Sequence, residues 1–138
     1  IIAILETARA YKVWDVMKQF GIRHVPVTTS DGSLVGVVSD RDILKHGTLN
    51  GSVLVFPAEL KIADIMSKNL ITASPDTPLE DIAVSMATWR VDCILIVEKN
   101  KIADIVTTTD FLNMFVEEST KNGKTPKVIP VRSDLKIA

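Results

Sequence analysis

The chain writes one short pattern twice. GVVSDRDIL spans residues 36–44 and DIVTTTDFL spans residues 104–112. In each, a β-branched apolar run leads into a hydroxyl residue, two further residues, an aspartate and an apolar pair. Ser39 and Asp42 in the first stretch return as Thr107 and Asp110 in the second. The flanking sequence follows the same overlay: Ile2 falls on Ile71, Met17 on Met86, Val38 on Val106 and Leu44 on Leu112, with the register slipping by one residue at a turn. Literal identity is low, yet the order of apolar and polar segments agrees. Such a repeat constrains the fold more than any single segment does.

Each copy reads β-α-β-β-α. In the first, residues 1–4 (IIAI) form a short strand. Residues 9–20 carry Val13, Trp14, Met17 and Phe20 at helical spacing, with Gly21 as the stop. The runs 23–28 and 34–38 flank the turn sequence SDGS and form a hairpin, followed by a short helix over 40–46. In the second copy, 70–73 is a strand and 78–89 a helix with Thr77 as its N-cap. The segments 92–97 and 101–106 form a hairpin, and 109–118 a helix. Neither copy is large enough to bury its sheet alone. The expected fold is therefore α/β, two βαββα copies packed face to face about a pseudo-twofold axis. The boundaries read as 1–47 for the first copy, which is N-terminally incomplete, and 48–60 for a linker; 61–118 is the second copy and 119–138 a basic tail. The apolar centre of the linker, Val53 to Phe56, is expected to pack on the body or on a partner chain. A helical turn over 62–66 enters the second copy, and the tail holds one strand-like segment, KVIPV.

Composition narrows the function classes. With 138 residues and 46% hydrophobic content the chain can bury a real core. A formal net charge of −1 gives no basic field for nucleic acid; only the tail, with five Lys or Arg against Asp134, offers a salt-sensitive contact of that kind. A single cysteine, Cys93, excludes an intrachain disulfide and suits a cytoplasmic setting. No apolar run is long enough to span a membrane. The chain begins Ile-Ile-Ala-Ile without an initiator Met, so a fragment of a longer protein is expected. His24 and His46 are too few and too scattered for a metal site, and no catalytic motif such as GxSxG, HExxH or a P-loop occurs. Trp14 and Trp89 occupy helix positions expected to face a core. Asn50-Gly51-Ser52 matches a glycosylation sequon, with nothing else to suggest secretion.

Two readings of the repeated hydroxyl and aspartate stand side by side. The first is a helix cap, in which the hydroxyl and the acid satisfy backbone N–H groups at the helix start. Asp is shorter than the Glu or Gln usual at that place and is expected to reach back less well. The second uses the same geometry outward. A carboxylate at the end of a strand accepts two hydrogen bonds from a vicinal diol such as that of ribose, while N–H groups at the helix start offer themselves to phosphate.

The segments GIRHVPVTTSDGSLVGVVSDRDIL and IMSKNLITASPDTPLEDIAVSMATWRVDCILIVEKNKIADIVTTTDFL resemble the two motifs of a cystathionine β-synthase (CBS) domain pair, or Bateman module, over roughly residues 1–118. The second motif departs from the family pattern at Asp104, where Gly36 stands in the first, and at Leu95, where the first has Pro26.

The resemblance implies a regulatory, non-catalytic sensor of an adenosine-containing ligand such as AMP, ADP, ATP or S-adenosylmethionine, with no other cofactor. At one site Ser39 and Asp42 would hold the ribose and Arg41 the phosphate, with adenine against Ile71, Val91, Asp92 and Cys93. Lys12, Arg23 and Arg90 are further phosphate candidates. At a second site Thr107 and Asp110 would hold the ribose, with Ile2, Ile22, Arg23 and His24 near the base. The Ser39/Asp42 site ranks first, because Asp104 adds negative charge at the other. The resemblance also implies a homodimer, with the apolar helix 109–116 as a candidate contact. The alternative function is a structural dimerisation module whose clefts hold no physiological ligand.

Overall fold

The chain folds around two hairpins that share one plan. The computed structural model describes residues 1–121 and residue 123, which divide into two compact units, the first ending at residue 107. The expected segment KVIPV lies outside the described residues.

In the first unit, β1 (Ile4–Leu5), β2 (His24–Thr28) and β3 (Leu34–Ser39) form a sheet in the order β1-β2-β3, with β1 parallel to β2 and β3 antiparallel to it. Helix α1 (Ala10–Phe20) makes the crossover from β1 to β2. It buries Ala10, Val13 and Met17 and ends at Gly21, whose φ of 64° lets its N–H close back on the Met17 carbonyl. A short helix α2 (Asp40–Leu44) leaves β3, and its Ile43 is fully buried. Strand register then sorts the side chains. Val25 lies opposite Val38 and Val27 opposite Gly36, and these valines are sealed in the core with α1. His24 lies opposite Ser39 and Pro26 opposite Val37, on the other face.

The second copy repeats this with β6 (Thr72–Ala73), α3 (Leu79–Trp89), β7 (Cys93–Glu98) and β8 (Lys101–Thr107), the sheet order being β6-β7-β8. Ile82 and Met86 of α3 and Ile94, Leu95 and Ile96 of β7 are buried. Leu95, at the place of Pro26, has an N–H to give, and donates it to the Ile71 carbonyl at 3.1 Å. Helix α4 (Thr108–Lys121) belongs to the second unit.

Two expectations are corrected. Thr77 does not cap α3: its hydroxyl accepts the Ser74 N–H at 3.2 Å, and the helix starts from Pro78. Trp89 is 67% exposed, because it is the last residue of α3 and lies past the turn that meets the sheet. Trp14 does pack inward, 5.5 Å from Phe56. The linker forms a two-stranded hairpin, β4 (Thr48–Asn50) and β5 (Val53–Val55), which turns at Gly51 and delivers Phe56 to the core while Leu49 and Val53 stay exposed.

The hairpin tips of the two copies are joined. Thr29 and Ser33 hold the Asp31 side chain across the β2–β3 turn and keep its carboxyl down at about 2. Lys101, at the tip of the second hairpin, donates its ammonium to the Asp31 carbonyl oxygen and bridges Ser33 through the backbone.

Candidate functional site

Ser39 and Asp42 begin as a helix cap. The Asp42 N–H donates to Ser39 Oγ at 3.1 Å and the Ser39 N–H donates to Asp42 Oδ2 at 2.9 Å. This is a closed capping box, so the shorter aspartate does reach back, contrary to the sequence expectation. It can do so because Ser39 is still extended (φ −104°, ψ 162°) as the last residue of β3, which brings its N–H over the first turn. The box uses one carboxylate oxygen, Oδ2. Among the described residues nothing else takes up Oδ1 or the Ser39 hydroxyl proton, which leaves both for another partner.

Both residues line a cavity of about 240 Å³. Its walls come from both copies. The first supplies His24, Val37, Ser39 and Asp42 from the outer face of the β2–β3 hairpin and the start of α2. The second supplies Ser67, Asn69 and Leu70 from the segment ahead of β6, then Ile71, then Arg90 to Cys93, then Leu95. That segment is held by a two-way bridge on the free edge of β3: Val37 N–H to Ser67 O at 3.0 Å and Ser67 N–H to Val37 O at 2.8 Å.

Six of the residues proposed from sequence for the first site therefore meet in one cavity: Ser39, Asp42, Ile71, Val91, Asp92 and Cys93. Arg41 does not line it. It is exposed on the first turn of α2, where its N–H donates to the Asp40 carboxylate, and the cation in the wall is Arg90. His24, assigned from sequence to the second site, lines this one, because its cross-strand partner is Ser39 and the two share a face of the sheet. Hairpin register is the signal that places it. Of the other second-site residues, Ile2 and Ile22 pack against the core, Arg23 is exposed and Thr107 ends β8 opposite Cys93; none lines this cavity. Asp110 belongs to α4, in the other unit.

Burial sets the chemistry of the cavity. It lowers the His24 pKa below the ordinary 6.5, against the pull of Asp92, Asp40 and Asp42 and with the help of Arg23. It raises the Cys93 thiol to about 11, with Asp92 adding to the effect, so the thiol is a packing group at neutral pH. Among the described residues no cluster of three or more His, Cys, Asp or Glu could hold a metal, and no helix is long and apolar enough to cross a membrane.

Comparison with known proteins agrees with this architecture. A family model for the CBS domain matches residues 1–48 and 62–117. The CBS domain-containing protein YhcV of Bacillus subtilis is 30% identical over 80% of this chain and 76% of its own length. Homoserine O-acetyltransferase of Methanococcus vannielii is 30% identical over 70% of this chain but only 19% of that enzyme. The chain spans about a fifth of the length of the first curated relatives it matches. A crystallised CBS domain pair in complex with 5′-methylthioadenosine and S-adenosyl-L-methionine superposes with a TM-score of 0.69 at 25% identity, over 83% of this chain and 90% of that one. Two matched stretches fall on the two copies of one βαββ plan: the chain belongs to the CBS domain family, as a CBS domain pair.

Proposed function

We propose that this CBS pair is a non-catalytic regulatory module that binds an adenosine-containing ligand in the cavity between its two copies. The observation that carries this reading is the half-used carboxylate of Asp42. Its Oδ2 closes the capping box, and Oδ1 remains to accept from a ribose diol beside the Ser39 hydroxyl. Ile71, Val91 and the Cys93 edge supply an apolar wall for the base. The adenosine compounds bound by a similar CBS pair support the same ligand class. A ligand that touches both copies stabilises one relative arrangement of them and so biases whatever is attached. A homodimer and a cytoplasmic setting belong to the same proposal. The apolar side chains left exposed on α1 and α3, Tyr11, Phe20, Val84 and Trp89 among them, offer such a dimer its surface.

A second reading is favoured by the closed box itself. The motif then serves only as a cap, and the chain is a structural dimerisation module. Asp42→Asn separates the two. An amide oxygen still accepts the Ser39 N–H, so the cap survives, but the acceptor pair for a diol is lost. In a thermal-shift panel of adenosine, AMP, ATP and S-adenosylmethionine, a ligand at 100 times its Kd stabilises by about 2.7 kcal/mol, a rise of roughly 5 °C for a domain of this size. A rise in the wild type that the Asp42→Asn change abolishes supports the sensor. No rise with any adenosine compound, on folded protein, supports the structural module.

A further inference from the structure

The charged side chains in the cavity wall are Asp42, Asp92 and Arg90. Two carboxylates therefore stand against one guanidinium. His24 does little to redress the balance, since burial lowers its pKa and favours the neutral imidazole. Asp92 acts on that imidazole most strongly of the charged groups, followed by Asp40, the opposing Arg23 and then Asp42, so acids still outnumber cations around the same small volume. Among the described residues, Asp92 is the wall acid with no side-chain hydrogen bond or ion pair within the fold. Asp42 is committed to its capping box, whereas Asp92 is exposed at the cavity rim just ahead of β7. The overlay of the copies puts Arg23 at the corresponding place, so the second copy reverses the charge there. Arg90 occupies a left-handed position (φ 54°, ψ 48°) that the first copy gives to Gly21. The guanidinium of the wall is thus held close in sequence to an acid that opposes it.

Size points the same way. About 240 Å³ lies below the roughly 300–1,000 Å³ of ordinary small-molecule pockets. A nucleoside with a short substituent suits such a space better than one trailing a chain of phosphates.

We propose that the cavity takes adenosine compounds whose 5′ substituent is uncharged or cationic, and that Asp92 is the specificity-determining residue that turns polyphosphates away. This rests on the adenosine reading given above. The 5′-methylthioadenosine and S-adenosyl-L-methionine bound by a similar CBS pair, one uncharged at that position and one a sulfonium, belong to this class.

Isothermal titration of the purified chain with adenosine, 5′-methylthioadenosine, AMP and ATP tests it, without magnesium, which would mask phosphate charge. 5′-Methylthioadenosine is expected to bind at least about tenfold more tightly than ATP, with the gap shrinking as salt rises. Asp92→Asn is expected to narrow the gap about threefold or more by tightening ATP, and Asp92→Arg, which writes the residue of the first copy into the second, to narrow it further. ATP binding as tightly as 5′-methylthioadenosine in the wild type overturns the selectivity and leaves the adenosine site standing. A gap unchanged in both variants overturns the role of Asp92. No heat from any of the four overturns the adenosine reading itself, and this one with it.

Discussion

Gly36 and Ser67 lie so close that a Cβ on the glycine would stand 3.0 Å from the Ser67 carbonyl oxygen and 2.6 Å from the Met66 sulfur. The sulfur can swing aside. The carbonyl cannot, because the Val37 N–H already holds it at 3.0 Å. Gly36→Val is expected to cost about 1–3 kcal/mol and to displace the wall from Ser67 to Ile71, weakening ligand binding in step. Urea denaturation and ligand titration on the same variant check this. Wild-type stability would mean that the contact relaxes freely.

Acid should loosen the fold through His24. Its folded pKa lies below the 6.5 of a free imidazole, so the unfolded chain binds more protons in the window between the two values. Stability from this group is fully present above 6.5 and is lost as the pH falls through the folded value. His24→Gln is expected to flatten that limb of a plot of denaturation midpoint against pH. An unchanged slope would assign the acid sensitivity elsewhere.

The Cys93 thiol, held near 11 by burial and Asp92, has a thiolate fraction at pH 8 well below that of a free cysteine. Alkylation by iodoacetamide is expected to run roughly 10- to 100-fold slower in the folded chain than in urea. A bound adenosine compound should slow it further. Mass spectrometry of timed samples reads both effects, and alkylation at the unfolded rate would contradict the packing.

Arg90 bears a backbone cost that its glycine counterpart Gly21 does not. Arg90→Gly is expected to stabilise the chain by about 0.5–1 kcal/mol, the relief of left-handed strain less the entropy glycine adds to the unfolded state. The same change removes the guanidinium from the cavity wall, so ligand affinity should move even as the melting temperature rises. A lower melting temperature would show that the side chain packs usefully.

Much of this is legible in the sequence, because two periodicities do most of the placing. Alternation in HVPV and LVGVV, together with the SDGS turn, fixes which valines meet α1, and the repeat carries the same reading to DCILIV. The same alternation is enough to put His24 beside Ser39, whereas symmetry between the copies assigns it to the other cleft. Nearness to Asp42 in sequence favours Arg41, although consecutive residues on a helix diverge by about 100°. Arg90 reaches the cavity because a left-handed residue ends α3 there, a conformation that no propensity scale assigns to arginine. In the linker, Gly51-Ser52 between the runs TLN and VLV is itself a hairpin signal.

The tie between Lys101 and Asp31 sets how the cavity can change shape. It fastens the two hairpins at their tips, whereas His24, Ser39 and Cys93 stand at their bases. Each hairpin is then a lever pivoted at the far end. A five-residue strand such as β2 makes an arm of roughly 17 Å, and a rotation of a few degrees at the pivot becomes its largest displacement at the mouth. On the proposed function, a ligand at the mouth would be read out as an angle between the copies.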